Sequence, residues 1–273
     1  MNILHRLRIL RNWLFKKRYG VGFFDILRYF FRLPLGMLTK RYFVSTERSE
    51  DFIKVRFAGL PDVLYWPAAF PFGELKLIAA ETFNKSDWHH YEQETTVVGQ
   101  DDVVVDVGAA EGLFSLSVIR RCRRVMMVEP NEIFYRSLNV TFGSYLKEGR
   151  AKIVRAAAGA AMGTAHLLEK GGGSRIDGNG TQQVELATLD SLLENEEKVD
   201  YIKADVEGYE LEVLKGAERS IMRHKPRMAI TSYHAKNIHT EIIDYVRSIV
   251  PGYKVHMSGI TLDDRPFMLH FYL

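Results

Sequence analysis

Residues 103–112 read Val-Val-Val-Asp-Val-Gly-Ala-Ala-Glu-Gly, and this stretch decides the fold class. Its apolar start, Val103–Val107, predicts a buried strand, and the small residues after it predict a tight turn into a helix. Gly108 and Gly112 frame the turn, and Ala110 takes the middle position where a dinucleotide-binding turn usually has glycine. Such a turn lets the backbone approach a ligand closely, but by itself it is equally typical of a plain strand-to-helix connection.

From residue 97 onward, short apolar strands alternate with helical stretches. This alternation is typical of repeated βαβ units, so it predicts an α/β fold with a mostly parallel sheet and helices on both faces. Further strands are predicted at 125–129, 153–157, 201–205 and 228–232, and helices at 112–122, 133–146, 189–194, 209–221 and 240–250. Residues 253–257 and 267–272 are expected to form an antiparallel pair at the sheet edge, and residues 171–180 a mobile loop between two strands.

The first 95 residues follow a different pattern. Residues 52–66 alternate around a Gly-Leu-Pro-Asp turn and predict a hairpin, and residues 73–83 predict a helix. We therefore expect an N-terminal α+β region before the sheet, and three parts in all: a basic helical segment at 1–41, a hairpin and helix region on the acceptor side at 42–95, and the α/β domain at 96–273.

Positive charge is concentrated in the N-terminal segment. Residues 1–41 contain ten Lys and Arg residues and one acid, Asp25, and so carry a formal charge of +9. Since the whole chain carries only +3, the charge is a local feature and gives little support to nucleic-acid binding. The sequence contains no apolar run near the roughly 18 residues of a spanning helix, and no cleavable signal is expected.

Ile3, Leu7, Leu10 and Leu14 recur at helical spacing in this segment and predict a basic amphipathic helix. One interpretation is peripheral contact with an anionic membrane, with the apolar side down and Arg and Lys against the headgroups. The other is a helical cap that packs on the core of the domain. The pattern leaves both open.

The composition excludes a disordered or fibrous protein, because 47% of the 273 residues are apolar and can bury a sizeable core. Cys122 is the only cysteine, so the chain can form neither an internal disulfide nor a thiolate metal cage. This usage is compatible with a reducing compartment, and we expect a cytoplasmic protein.

The second predicted strand ends at Glu129-Pro130, where a carboxylate can accept two hydrogen bonds from a ribose diol. Together with the glycine turn, Glu129 predicts an adenosine ligand. Glu111 stands at the start of the first helix, where a pyrophosphate would need free backbone N–H groups. With Asp106 it makes the pocket acidic, which favours a ligand that carries an ammonium and a sulfonium group. S-adenosylmethionine fits this description better than NAD or FAD.

Four stretches carry a resemblance to a known family. They are Asp106-Val-Gly-Ala-Ala-Glu-Gly-Leu-Phe-Ser-Leu116, Val128-Glu-Pro130, Thr188-Leu-Asp-Ser-Leu192 and Ile202-Lys-Ala-Asp-Val-Glu-Gly-Tyr-Glu-Leu-Glu-Val-Leu-Lys-Gly-Ala217. Over about residues 97–257 the chain resembles the FkbM-type S-adenosylmethionine-dependent methyltransferases. The last stretch is the specific one, since the glycine turn is shared with many nucleotide-binding folds.

The resemblance implies a Rossmann-like class I methyltransferase fold with an antiparallel terminal strand. It also implies O-methylation of a hydroxyl on a small-molecule, sugar, glycan or lipid-linked acceptor. By the family pattern, Asp106 and Gly108 contact the methionine part of the cofactor, Glu129 binds the ribose, and Asp205 and Glu207 line the mouth where the methyl group is transferred. The residues expected to bind the cofactor are Asp106, Gly108, Ala110, Glu111, Gly112, Glu129 and Asp205.

The expected catalytic residues are Asp205, Glu207 and His234. Asp205 ends a predicted strand at the carboxyl edge of the sheet, where open α/β sheets bind ligands. Glu207 begins the next helix and could instead cap it. An alcohol needs a base, and His234 is our first candidate because a neighbouring carboxylate would raise its pKa toward neutrality. A histidine that serves only the structure is the alternative.

Two further histidines, His89 and His90, are weaker candidates, and at most one of them should face the pocket. No metal is expected, because Asp205 and Glu207 alone offer too few ligands for a divalent cation. Three other functions stay open: methylation of an amine, a non-catalytic adapter that recruits a partner to the membrane through residues 1–41, and a nucleotide-dependent oxidoreductase. The last lacks a recognisable set of hydride-transfer residues.

Overall fold

The structure of the protein is a computed structural model that describes residues 3–169, 171 and 173–273. The first two residues of the basic segment, and Gly172 of the predicted loop, lie outside the described residues. The helices of the described part are α1 (Ile3–Phe15), α2 (Phe23–Phe30), α3 (Leu35–Thr39), α4 (Phe72–Phe83), α5 (Leu113–Val118), α6 (Glu132–Thr141), α7 (Gly143–Lys147), α8 (Leu189–Leu192), α9 (Glu210–Lys215), α10 (Glu218–His224) and α11 (Ile238–Ile249).

The strands are β1 (Phe43–Arg48), β2 (Phe52–Phe57), β3 (Val63–Pro67), β4 (Val103–Val107), β5 (Arg124–Val128), β6 (Ala151–Val154), β7 (Ala157–Ala158), β8 (Gly163–Leu168), β9 (Arg175–Ile176), β10 (Gln182–Ala187), β11 (Tyr201–Ala204), β12 (Arg227–Thr231), β13 (Lys254–Ser258) and β14 (Met268–Tyr272). Seven of them form the central sheet, in the order β13-β14-β12-β11-β4-β5-β6.

The central sheet is mostly parallel. Strands β12, β11, β4, β5 and β6 pair in parallel, and β14 pairs antiparallel with both β12 and β13. The predicted α/β fold and the antiparallel edge pair are therefore confirmed. Because side chains alternate along a strand, Val104 packs toward α5 and α6 while Val105 packs toward α9 and α11, which gives the sheet a core on each face.

Three predicted elements are wrong in detail. The helix predicted at 133–146 is divided into α6 and α7 at Phe142. The helix predicted at 209–221 is split into α9 and α10 at Gly216, where a Cβ atom would lie 1.9 Å from the carbonyl oxygen of Gly159. The strand predicted at 153–157 is also split. Its first part is β6 in the central sheet, and its end is β7 in a second, four-stranded sheet with the order β7-β10-β8-β9.

This four-stranded sheet also corrects the prediction of an unstructured loop at 171–180. The stretch contains the short strand β9, which pairs antiparallel with β8. Ala157, Leu167 and Val184 form the small core beneath the sheet. The stretch was predicted as a loop because it is rich in glycine, and a strand of only two residues is too short to give an apolar pattern.

A three-stranded antiparallel sheet, β1-β2-β3, precedes the central sheet. The predicted hairpin at 52–66 is correct, and β1 pairs with it as an edge strand that the sequence analysis missed. Trp66 of β3 is fully buried, and its ring lies 6.0 Å from that of Phe134 in α6. This contact joins the N-terminal sheet to the core of the α/β domain.

Helix α1 packs on the domain through a different face from the predicted apolar stripe. Ile9 and Trp13 are buried, whereas Ile3, Leu7 and Leu14 of the stripe are about half exposed. The helical-cap interpretation is therefore correct for one side of the helix. Of the predicted stripe, only Leu10 packs against this core, and it is partly buried.

Arg6 links α1 to the end of α2. Its guanidinium donates hydrogen bonds to the carbonyl oxygens of Phe30 and Arg32. Arg32 in turn forms an ion pair of 2.6 Å with the buried Asp87. In the described ranges, every helix is too short or too polar to cross a bilayer.

We expect Trp66→Ala to lower the free energy of unfolding by about 3–5 kcal/mol, since it leaves a cavity between the two sheets. Chemical denaturation would measure this loss. Met162→Ala is the matched control, because that side chain is 71% exposed and its removal should change stability by less than about 0.5 kcal/mol. A loss below about 1 kcal/mol for Trp66→Ala would mean that the two sheets do not share a core.

Candidate active site

The site forms where β4 and β11 lie side by side, at the point where the strand order reverses. Gly108 follows β4 and Asp205 follows β11. A Cβ atom on Gly108 would lie 2.0 Å from the carbonyl oxygen of Asp205, and its φ of +71° also favours glycine. The glycine turn and Asp205 therefore share one edge of the sheet, which is where such folds bind ligands.

Two cavities open at this edge, and Gly108, Ala110, Asp205 and Glu207 line both of them. The first, which we term the Glu129 cavity, extends between the ends of β4 and β5 and under the loop at Gly171 and Ser174–Ile176. The second, which we term the His89 cavity, extends from Glu111 and Lys203 toward α4 and Tyr233. Asp205 and Glu207 thus stand where the two cavities meet.

Glu129 is held at the first cavity by two backbone hydrogen bonds. Its Oε2 accepts from the N–H of Ala110 and its Oε1 from the N–H of Asn131, both at 2.8 Å. Burial raises the pKa of Glu129 to about 7, against the lowering effect of these two hydrogen bonds. Each oxygen keeps a lone pair for a further donor, such as a ribose hydroxyl.

Glu111 is buried at the second cavity. Its Oε1 accepts from the N–H of Leu113, and among the described residues its Oε2 has no hydrogen-bond partner. Burial raises the pKa of Glu111 to about 7. Gly112 lines neither cavity. A Cβ atom there would lie 2.5 Å from Leu138, so this glycine serves the packing of the turn on α6.

Asp106 lies behind the cavity wall rather than in it. It is fully buried, with Lys203 Nζ at 2.9 Å from one oxygen and the Ser115 hydroxyl donating to the other at 2.7 Å. Lys203 also donates to the carbonyl oxygen of Gly108 at 2.6 Å, so the ion pair fixes the glycine turn. The implied contact of Asp106 with the methionine part stays a prediction.

Asp205 stands between two histidines. Its Oδ2 accepts from the Tyr91 hydroxyl at 2.7 Å and lies 3.8 Å from His89 Nε2, while its Oδ1 lies 3.8 Å from His234 Nε2. Burial raises the pKa of Asp205, but the positive charges of Lys203 and His234 and the hydrogen bond from Tyr91 oppose this effect, and the pKa lies below its ordinary value. Asp205 therefore stays ionised at neutral pH.

His234 is oriented by a buried carboxylate that the sequence analysis missed, Glu210. Its Nδ1 lies 2.7 Å from Glu210 Oε1, and its Nε2 lies 3.5 Å from Glu207 Oε2. Burial lowers the pKa of His234, but the Glu210 hydrogen bond and the charge of Asp205 prevail and raise it to about 9. His234 is thus protonated at neutral pH, and it lines neither cavity.

His89 differs from His234 in its contacts and in its charge. It is 5% exposed, lines the His89 cavity, and in the described part of the chain neither of its ring nitrogens has a hydrogen-bond partner. Its Nδ1 lies 3.5 Å from Glu81 Oε2. Burial lowers the pKa of His89, so the ring is neutral at pH 7. His90 points elsewhere and contacts the carbonyl oxygen of Glu81, so only one of the two histidines faces the cavity, as predicted.

Asp205, Glu210 and His234 also bring three possible metal-ligand atoms within 4.8 Å of one another. The 2.7 Å between His234 Nδ1 and Glu210 Oε1 is a hydrogen-bond distance and leaves no room for an ion between those atoms. Glu210 Oε1 further accepts from the Thr231 hydroxyl at 2.9 Å. The contacts are those of a hydrogen-bond network, and the expectation of a metal-free reaction stays a prediction.

The residues around the two cavities fit S-adenosylmethionine. Glu129 offers a carboxylate for the ribose hydroxyls, and the unsatisfied Oε2 of Glu111 can accept from an ammonium group. Asp205 and Glu207 place negative charge where the cavities meet, which suits a sulfonium. A seven-stranded sheet of this order, with an acidic crevice beside a glycine turn, defines a class I methyltransferase.

The sequence matches the family described as "Methyltransferase FkbM domain" over residues 106–251. Because the match covers more than half of the chain, the protein belongs to this family, and its cofactor is S-adenosylmethionine. No curated protein sequence gives a significant match.

One solved structure shares the fold, and a second aligns more weakly. The methyltransferase FkbM from Methylobacillus flagellatus aligns with a TM-score of 0.53 and 23% identity over 74% of this chain and 56% of its own. The chain thus spans little more than half the length of that relative. TrmK from M. capricolum, in complex with S-adenosyl-homocysteine, aligns with a TM-score of 0.42 and 9% identity over 64% of each chain.

We expect Glu129→Ala to weaken the binding of S-adenosylmethionine by roughly 1.5–3 kcal/mol, or about 10- to 100-fold in Kd, through loss of charge-assisted hydrogen bonds. Isothermal titration calorimetry on the folded protein measures this change. Glu132→Ala, at an exposed carboxylate three residues along the chain, is the control and should bind as the wild type does. Equal affinity for Glu129→Ala and the wild type would contradict the ribose assignment.

Proposed function

We propose that the protein transfers the methyl group of S-adenosylmethionine to a hydroxyl of a sugar, glycan or lipid-linked acceptor, at the cytoplasmic side of a membrane. The observation that carries the proposal is the placement of His89, a neutral and unsatisfied histidine beside ionised Asp205 at the cavity junction. A buried polar group without a partner calls for a ligand, and a hydroxyl in this cavity would supply one.

S-adenosylmethionine, when bound, supplies an electrophilic methyl group. The chain would hold it through Glu129, the turn at Gly108 and Ala110, and the acidic pair Asp205 and Glu207. What remains for the protein is to align the acceptor oxygen and to remove its proton, because an alcohol is a poor nucleophile at neutral pH.

We infer that His89 Nε2 takes this proton. The ring is neutral before the reaction, and Asp205, 3.8 Å from Nε2, would stabilise the imidazolium that forms. Burial raises the pKa of Glu81, whose Oε2 lies 3.5 Å from Nδ1, well above its ordinary value. His234, our first candidate from the sequence, is protonated and would instead hold Asp205 and Glu207 in place.

The two histidines predict different pH profiles. With His89 as the base, kcat is level from about pH 7 to pH 9, because a base with a pKa below 6.5 is already deprotonated there. With His234 as the base, kcat would rise until the pH passes its pKa of about 9. We expect the level profile, and we expect His89→Gln to lower kcat about 100-fold or more. A rise toward pH 9 that His234→Gln removes would overturn the assignment.

The acceptor class is tested with methyl-labelled S-adenosylmethionine and a cell lysate separated into polysaccharide, lipid, small-molecule and protein pools. We expect label in the polysaccharide or lipid pool, as a base-stable and acid-stable ether. Label recovered after hydrolysis as an N-methyl group on an amine of the acceptor would favour an amine acceptor. A folded protein that binds the cofactor and labels no pool would favour the non-catalytic adapter. The Asp205→Ala variant is the negative control, and it should label none of the pools.

A further inference from the structure

A largely apolar groove leads from the N-terminal helices to the His89 cavity. Its volume of about 570 Å³ lies within the range of sites that enclose small molecules. The side chains that make its walls apolar are Phe31, Leu33, Leu38, Leu77, Trp88, Tyr233 and Phe267. The methyl transfer proposed above gives this groove no role.

The groove and the His89 cavity are joined. Leu77, Glu81, His89 and Tyr233 line both of them, so His89 stands at the passage from one to the other. A molecule whose long apolar part occupied the groove would present its end to His89. The proposed base is therefore reached from the N-terminal helices.

The outer end of the groove is rimmed by exposed apolar side chains. Phe31 is 70% and Leu33 57% exposed, although both line the groove. Large apolar residues elsewhere in the same N-terminal segment are also exposed: Ile3, Leu7, Leu14, Phe15, Phe23, Phe24, Leu27 and Met37. Single exposed apolar residues are ordinary, but a cluster of ten on one short segment is typical of an interaction surface.

Apart from Phe23, whose ring lies 6.3 Å from that of Trp13, the packing of these helices depends on other residues. α1 packs on the domain through Ile9 and Trp13, and α2 through Ile26. The same segment carries ten Lys and Arg residues against Asp25, a charge complementary to an anionic surface. Exposed aromatic and aliphatic residues combined with many cations are the composition of helices that lie in the interface of an anionic bilayer.

We propose that α1 and α2 dock on an anionic membrane and that the groove receives the apolar chain of a membrane lipid whose hydroxyl reaches His89. The docking stands on the surface of the N-terminal helices alone. The identity of the acceptor as a lipid rests also on the proposed function. The occupant of the surface is thus the bilayer, and the occupant of the groove is a lipid drawn from it.

Co-sedimentation of the full chain with vesicles tests the docking. We expect the protein to bind vesicles of phosphatidylcholine with about one third phosphatidylglycerol at least tenfold more strongly than vesicles of phosphatidylcholine alone, and to lose this preference in high salt. The double variant Phe24→Asp and Phe31→Asp should lose vesicle binding and keep its fold by circular dichroism, since both side chains are more than two thirds exposed.

Met162→Asp is the matched control, because it places the same charge on an equally exposed apolar residue far from α1 and α2 in the chain. It should bind vesicles as the wild type does. Equal sedimentation of wild type with and without anionic vesicles overturns the docking. So does a concentration-dependent dimer that the Phe24 and Phe31 changes abolish, because the surface would then be covered by a second copy.

The fluorescence of Trp88 tests the occupant of the groove. A lysophosphatidylglycerol with a brominated chain should quench Trp88, which lines the groove, when bromine contacts the ring. Trp13 and Trp66 are buried and do not line the groove, so the Trp88→Phe protein should lose the quenched component. Equal quenching of the wild type and of Trp88→Phe would exclude a lipid chain from the groove.

These readouts separate the two proposals. Vesicle binding and Trp88 quenching, with no label transferred to any pool, would leave the membrane surface standing and remove the proposed reaction. Label in a water-soluble polysaccharide, with neither vesicle binding nor quenching, would support the methyl transfer and overturn the lipid acceptor.

Discussion

The close approach of Gly108 to the backbone of Asp205 is the constraint on which the site depends. It requires that β4 and β11 be neighbours and that no side chain stand between their ends. The glycine turn then brings Ala110 within reach of Glu129, and the pair of cavities forms on either side of Asp205. The same backbone contact therefore requires β4 and β11 to be neighbours and positions the two cavities of the site.

The site contains several buried carboxyl groups, and only some of them have a positively charged partner. Lys203 neutralises Asp106, and two backbone N–H groups hold Glu129, yet burial still raises the pKa of Glu111 and of Glu129 to about 7. Such groups destabilise the folded protein when they ionise. They are explained by a cationic, hydroxyl-bearing ligand that the fold is built to receive, because the ligand supplies the charge and donors that the protein withholds.

The sequence pattern predicted the central sheet well, because buried strand segments such as Val125–Val128 are continuous apolar runs. It failed where the end of an element, or the burial of a side chain, depends on contacts that are distant in the sequence. Gly216 breaks a helix through its contact with Gly159, which no local signal reveals. Glu210 lies in a stretch that resembles a solvated helix face, and only the fold buries it against His234. His89 was undervalued because its burial depends on how residues before 95 pack on the sheet.

The groove described above is walled mainly by residues 28–89, with Tyr233 and Phe267 from the end of the chain. The family match, by contrast, begins only at residue 106. The groove proposed for the acceptor therefore lies almost entirely outside the part of the chain that carries the family match. Chimeras that exchange the front third of the chain between relatives can alter selectivity while the donor-binding half keeps its architecture.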